Sequence, residues 1–438
     1  MFIPRKRLFW AVSLGHIVND MFMSIGSVLL VFTAAYILPI SNAQIGIAIS
    51  AQQFMGAVTQ PLFGYIGDKR GARLLGAGGV AWTVGMYMIT LLLAGSGQFW
   101  LMIVPFALAA LGSGAFHPVG TMYAAESDKT RVASNLSYFF FAGQLGLAIG
   151  PATVGILLDE LHTRNNLFTQ GLGPLFAGRL AESGIVTPVM ALGLIAIPVV
   201  LFMALTIPRQ TRQTRAAAAQ AEANTPTKTV KVPMKALIIL AVVVAMRSLA
   251  QPGIVPFIPR MFQLRGWDSA EYGIITSLFW FASGVAGVLF GMLADRYRYD
   301  TRWITAISLI LSAPCIFLLP FADGIVALIL ALLAGGLSGG SHSLIIVTAQ
   351  RLVPGRKGFA SGAIMGYLFG TGAIGSLLIG QLSTTLSPDP LQGLSIVFQG
   401  VAIITVISGI GSLFLPKDEP EAKDPEPAPI RGEAVPAS

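Results

Sequence analysis

Twelve apolar stretches, each about 20 residues or longer, follow one another along a chain of 438 residues, and the charges fall mainly in the short gaps between them. About 20 apolar residues carry an α-helix across a bilayer, where only helices and closed barrels satisfy every backbone N–H and C=O. Charged residues make up 11% of the chain, against about 25% in soluble proteins. The reading is an all-α integral membrane protein with twelve transmembrane helices in two pseudo-symmetric six-helix halves. Residues 1–207 form the N-terminal half, 208–234 a cytoplasmic linker, 235–415 the C-terminal half and 416–438 a disordered, Pro- and Glu-rich tail.

The basic residues set the orientation. With the N-terminus inside and the loops alternating, 23 Lys and Arg fall on the inner side and 4 (Arg164, Arg179, Arg260, Arg265) on the outer side. This bias is the positive-inside pattern, placing both termini in the cytoplasm of a cell whose cytoplasmic membrane the chain spans. The sequence pI of 9.7 therefore concerns topology and not nucleic acid. Cys315 is the single cysteine, so neither a disulfide framework nor a thiolate metal site is expected. Arg5-Lys6-Arg7 precedes an apolar run that continues to about residue 36 without a small-residue cleavage pattern, which reads as an uncleaved first helix.

A polar segment, Gly64-Tyr-Ile-Gly-Asp68-Lys69-Arg70-Gly71-Ala-Arg73, separates the second and third apolar runs and reads as a tight loop. A shift of 227 residues carries Gly64 to Gly291, Asp68 to Asp295 and Gly46 to Gly273, and Asp295 is followed by Arg296. Equal spacing at corresponding loops marks an internal repeat. The segment resembles the signature between helices 2 and 3 of the major facilitator superfamily, with Ala72 in place of one basic residue. As in that family, Asp68 is expected to hold a contact that closes the inner side.

Helix 1 is expected over about 8–36, helices 2 and 3 over 44–66 and 74–95, helix 4 over 99–124, helix 5 over 133–158 and helix 6 over 185–207. Between helices 5 and 6, residues 159–184 read as a long outer loop with a short surface helix at 176–182. Helix 7 spans about 235–263 and carries Pro252, Pro256 and Pro259, so it should break in its outer half. Helices 10 and 11 are expected over 325–350 and 359–386, and helix 12 ends near 415.

Polar residues deep in these helices are functional candidates, because a charge at the bilayer centre costs about 2.5–3.5 kcal/mol unless it faces water or a partner. His16, Asn19 and Asp20 lie on helix 1, with His16 and Asp20 one turn apart on one face. The 227-residue shift carries Asp20 to Arg247 on helix 7, and a shift of 225 carries His117 to His342 on helices 4 and 10. Asp20 and Arg247 are either a fixed salt bridge between the halves or a switchable pair, in which protonating Asp20 frees Arg247 to hold an anion. His117 and His342 are either core histidines bonded to carbonyls or polar cavity ligands, and His16 either packs or relays the proton of Asp20. Asn19, Gln251, Arg247, His117 and His342 form the candidate substrate-binding set, and Asp20, Arg247 and His16 the proton-coupling set. Helix 5 carries Gly143, Gly146, Gly150, Pro151 and Gly155, a smooth stripe for close packing with a bend at the Gly-Pro pair.

His16-Ile-Val-Asn19-Asp20, Gly112-x-Gly-x-Phe-His117-Pro118 and Leu352-Val-Pro354-Gly355-Arg356 resemble motifs of the fosmidomycin-resistance family of proton-coupled efflux antiporters, and the likeness runs from about residue 10 to 415. The resemblance implies export of a small organic compound in exchange for protons, with helices 1, 4, 7 and 10 lining the cavity. No cofactor beyond the proton gradient, no metal and no catalytic set is expected, so the chain is not read as an enzyme. Its partners would be a small-molecule substrate, protons and the lipid bilayer, with the chain acting as a monomer. Two other readings stay open: proton-coupled uptake of an organic anion or nutrient, and a membrane ligand sensor that does not transport.

Overall fold

The computed structural model describes residues 6–70, 72–94, 96–128, 131–163, 187–208, 233–297, 300–352 and 357–417. Its elements are helical throughout. The first six helices are α1 (Arg7–Tyr36), α2 (Asn42–Arg70), α3 (Ala72–Ala94), α4 (Phe99–Glu126), α5 (Val132–Thr163) and α6 (Thr187–Thr206). The seventh, α7, is built in pieces: Met234–Ser248, a wide turn at Leu249–Gly253, a tight turn at Val255–Phe257, and a distal segment Ile258–Leu264. Five more follow: α8 (Ser269–Tyr297), α9 (Thr301–Leu318), α10 (Gly324–Leu352), α11 (Lys357–Leu386) and α12 (Pro390–Ser412). The described residues thus hold the twelve helices expected of the chain. Among the described residues ten spans are long and apolar enough to cross a membrane by length and composition alone. The 29-residue α2 is outside that group, because its Gln44, Gln52, Gln53 and Gln60 lower its hydropathy.

Several boundaries differ from the sequence reading. Gly64–Arg70, expected as loop, completes the last turns of α2, and Asp295 and Arg296 likewise end α8. No proline interrupts either stretch, so the helical backbone runs on until its last turn meets the connection. Gly71 lies outside the described residues, as do the surface helix expected at 176–182, most of the linker, the 353–356 segment and the tail. Helix α5 continues to Thr163, five residues beyond its expected end.

The break in α7 follows from its prolines. Pro256 has no N–H to give, so the carbonyl of Pro252, four residues earlier, loses its helical donor. Gln53 Nε2 of α2 supplies one at 3.1 Å and Ser376 Oγ of α11 another at 3.2 Å. A freed carbonyl deep in the bundle thereby becomes a junction between α2, α7 and α11.

Helices α1–α6 pack together, as do α7–α12, and the two halves meet along α2 with α11 and along α5 with α8. At each seam a glycine faces a glycine. A Cβ built on Gly155 would stand 3.1 Å from Gly273 Cα, and one on Gly46 would stand 3.1 Å from Gly380 Cα. The halves can come this close only because neither partner has a side chain. Both contacts lie toward the face opposite the N-terminus of α1. On the same side Arg260 is only 8% exposed. Its guanidinium donates to Asn42 Oδ1 at 3.2 Å and to the Ile40 carbonyl at 3.3 Å. Asn42 in turn donates to the Pro390 carbonyl at 3.0 Å. The sequence counted Arg260 among the cations of the outer side; the structure uses it to close that face. Its position on the distal segment of α7 turns it toward the start of α2.

Candidate functional site

Three ionisable side chains from two helices converge in the N-terminal half. His16 and Asp20 stand one turn apart on α1, and His117 reaches them from α4. His16 Nε2 lies 3.2 Å from Asp20 Oδ2, and His117 Nε2 lies 3.4 Å from Asp20 Oδ1. One donor or acceptor atom from each of the three falls within 4.8 Å of the others. Spacing along the chain showed the α1 pair but could not show that His117 completes it.

Each ring is held by its other nitrogen. His16 Nδ1 lies 2.8 Å from the Phe139 carbonyl, and its ring stacks on that of Phe139 with centroids 4.2 Å apart. His117 Nδ1 lies 2.8 Å from the Ser113 carbonyl one turn back and 3.2 Å from the Ser113 hydroxyl, and the shorter contact, with the carbonyl, sets its tautomer. A carbonyl oxygen only accepts, so both Nδ1 atoms carry the proton, and both Nε2 atoms face the carboxylate. Asn19 donates to Asp20 Oδ1 at 2.8 Å and to Ser113 Oγ at 3.0 Å. The Thr83 hydroxyl of α3 lies 3.2 Å from Asn19 Oδ1 and fixes the amide's orientation. Asn19 thus positions the carboxylate.

The glycine stripe of α5 makes room for this cluster. A Cβ on Gly143 would press into the His16 imidazole and stand 2.8 Å from Asp20 Oδ2, and Gly146 and Gly150 lie as tightly against α1. Gly155, further along, turns to the other half. The stripe therefore serves two surfaces.

Between the halves lies a cavity of about 160 Å³. Its polar wall belongs to the N-terminal half: Asp20, Ser24 and Ser27 of α1, Gln52, Gln53 and Gln60 of α2, and Ser113 and His117 of α4. The C-terminal half supplies an apolar wall of Pro252, Val255 and Pro256 from the break in α7, Trp280 from α8 and Phe369 from α11. Sequence reasoning had singled out neither the glutamines nor Trp280 and Phe369. The glutamines left a signal, since they made α2 the least apolar of the long helices; the two aromatics left none.

The sequence placed helices 1, 4, 7 and 10 around the cavity, but α10 contributes no lining residue among those described, and α2 contributes as many polar ones as α1. Asn19, Arg247, Gln251 and His342, expected as substrate ligands, also stand outside the cavity wall. Arg247 is fully buried between α7 and α10. Its Nε donates to Ser341 Oγ at 2.8 Å, and its Nη2 to Gln251 Oε1 at 2.6 Å and to the Ser338 carbonyl at 3.0 Å. Gln251 continues the network to Ser283 of α8 at 2.6 Å. Among the described residues no ion pair joins Asp20 to Arg247: the carboxylate is taken up by histidines and the guanidinium by neutral oxygens. The repeat relation holds in place but not in contact. Ser113 and His117 beside Asp20 correspond, at a shift of 225, to Ser338 and His342 of the helix that holds Arg247. Asp68, Lys69 and Arg70 end α2, Asp295 and Arg296 end α8, and Arg73 opens α3 one residue after Ala72.

The family model of the Major Facilitator Superfamily matches residues 12–264 and 236–435. The chain is 25% identical over 412 residues to the fosmidomycin resistance protein of Escherichia coli (strain K12), covering 93% of this chain and 92% of that one. It is 37% identical over 129 residues to an uncharacterized MFS-type transporter, YfnC, of Bacillus subtilis (strain 168), covering 30% of this chain and 29% of the relative. Among solved structures, a bacterial homologue of the human lysosomal transporter Spinster, inward-facing and occupied, superimposes with a TM-score of 0.73 at 14% identity, covering 94% of this chain and 97% of that one. A D-xylose–proton symporter superimposes with a TM-score of 0.71 at 15% identity, covering 93% and 97%. At such identities the two structures speak for the fold alone.

Proposed function

Because the chain belongs to the major facilitator superfamily, and is therefore a multi-pass membrane transporter and not an enzyme, we propose that it exports a small organic compound in exchange for protons. The observation that carries this reading is Asp20, a carboxylate on the wall of the cavity between the halves. Proton exchange needs a group whose charge can change where the substrate binds. Arg247 does not deprotonate in practice, and it stands behind the cavity wall. Proton uptake is therefore centred on Asp20, with His16 and His117 as its immediate partners.

Alternating access supplies the cycle. With the basic loops cytoplasmic, the face closed by Arg260 and the glycine seams is the external one, which corresponds to an inward-facing state ready to load a compound from the cytoplasm. The compound would set its polar part against Asp20, His117 and the α2 glutamines, and its apolar part against Trp280 and Phe369. The similarity along almost the whole chain to a protein named for fosmidomycin resistance supports the outward direction.

The test uses proteoliposomes holding a pH-sensitive dye, a panel of compounds beginning with fosmidomycin, and imposed pH gradients of both signs. The expected result is proton movement opposite to the movement of at least one compound. Proton and compound moving together would establish symport and overturn the exchange.

A further inference from the structure

We propose that His16, Asp20 and His117 load two protons as one unit, one at each edge of the Asp20 carboxylate. The inference deepens the proton-coupled reading, and rests on it only for the claim that these protons drive transport.

The argument is a hydrogen-bond count. Each Nδ1 is 2.8 Å from a backbone carbonyl, Phe139 for His16 and Ser113 for His117, and must hold a proton because a carbonyl has none to give. A neutral imidazole carries one proton, so in the neutral form each Nε2 presents a lone pair. Those lone pairs would point at carboxylate oxygens 3.2 and 3.4 Å away. Acceptor facing acceptor is repulsive, and in a buried setting repulsion between unsatisfied groups is costly. A proton at each Nε2 turns both contacts into charge-assisted hydrogen bonds. One proton satisfies only one edge.

The two edges differ in their support: Oδ1 faces His117 and also accepts from Asn19, whereas Oδ2 faces His16. The His16 ring is clamped by Phe139, and His117 is held by its own helix through Ser113. Asn19 occupies Oδ1 as a donor that cannot change its charge. Among the described residues His16 and His117 are the charged groups acting on Asp20. α3 presents Thr83 to the cluster through Asn19, and α5 presents Phe139 and the bare backbone at Gly143. From α2 the neutral glutamines face the same cavity. Among the described residues no further ionic group stands ready to balance the cluster, so its charge passes from −1, with both imidazoles neutral, to +1, with both protonated. Both protons enter and leave through the cavity, because Asp20 and His117 line it; His16, which is 3% exposed, exchanges by way of Asp20.

The test needs no substrate. The chain has four histidines, so ¹⁵N-imidazole labelling of the purified protein in lipid nanodiscs gives few resonances, assigned by the single variants His16→Gln, His117→Gln, His162→Gln and His342→Gln. At about pH 6, where an ordinary imidazole titrates, the spectrum should show His16 and His117 both as imidazolium. At alkaline pH both should be neutral with the proton on Nδ1. A coupled pair titrates through shared macroscopic steps, so His117→Gln should also change the titration curve of His16, and that variant is readable whether or not it transports. Either ring remaining neutral at about pH 6, a neutral form protonated on Nε2, or two curves that ignore each other would overturn the proposal. If the spectra fail while proton exchange persists in proteoliposomes, Asp20 carries a single proton. If the spectra hold while no proton moves with substrate, the cluster binds two protons and the transport reading is wrong.

Discussion

Asp20→Asn separates coupling from binding. The substitution keeps the side chain's size and removes the negative charge that His16 Nε2 and His117 Nε2 share at 3.2 and 3.4 Å. A pH unit is worth about 1.4 kcal/mol per proton, so a two-proton cycle has about 2.7 kcal/mol to spend per unit of gradient. With the membrane potential clamped, that corresponds to about a hundredfold accumulation of a transported compound per pH unit, against about tenfold for a one-proton cycle. The amide of the variant offers one oxygen and one NH₂ in place of two anionic edges. It therefore cannot hold both imidazolium ions, and the sustained ratio should fall to about one. The assay is accumulation of the transported compound in proteoliposomes at fixed ΔpH, with potassium and valinomycin setting the potential. Compound-for-compound exchange should survive, because the glutamines and the apolar wall remain. Accumulation of about tenfold or more per pH unit in the variant would refute the assignment of the proton site to Asp20.

Arg247→Leu removes three hydrogen bonds that hold α7 to α10 and to Gln251 and leaves their acceptors buried, so detergent-solubilised protein should lose about 3 kcal/mol of stability on thermal unfolding. Unchanged stability with lost substrate binding would instead place Arg247 in the substrate site. Gly155→Val forces a branched side chain into a contact where even a Cβ stands 3.1 Å from Gly273 Cα, and should part the closed face. Labelling of Asn42→Cys by an impermeant maleimide, in a Cys315→Ser background, should then quicken several-fold. Gly85→Val, at a site with nothing within 4 Å, should leave the labelling rate unchanged. Cysteines placed within residues 159–184 should label from outside the cell and those within 208–234 should not; the reverse pattern would invert the orientation taken from the basic loops.

The parts of the fold that depend on composition were legible in the sequence. Apolar runs of membrane length require helices, and three prolines in one run require a break. What hydropathy does not encode is which side of an apolar helix meets lipid, neighbour or cavity. Trp280 and Phe369 stand in apolar runs that carry no mark of the inward turn α8 and α11 give them. For the same reason Asp20 and Arg247 matched in the repeat while facing different surroundings: register along the helix was visible, rotation about it was not. His16 and Asp20 were legible as a pair because one helical turn joins them. The approach of His117 depends on how α4 packs against α1, and the carbonyls that set both tautomers are backbone atoms, to which residue type gives no clue. Arg260 was legible as a cation of the outer side but not as a closing contact, since a cation near a helix end can serve the closed face as well as the water beyond it.

The glycine seams have a consequence for how such a chain could arise. Gly46 corresponds to Gly273 and Gly155 to Gly380 in the repeat, yet the contacts run crosswise, Gly155 to Gly273 and Gly46 to Gly380. Each half therefore presents both a donor-like and a receiver-like surface, and the two surfaces meet as they would across a two-fold axis. This is the geometry of an isologous homodimer, in which one patch pairs with its own copy. A gene encoding a single six-helix half would already specify both seams, with Gly155 of one copy against Gly46 of the other. Fusion of two copies would then free the halves to diverge, one keeping an acid on the cavity wall and the other an arginine behind it.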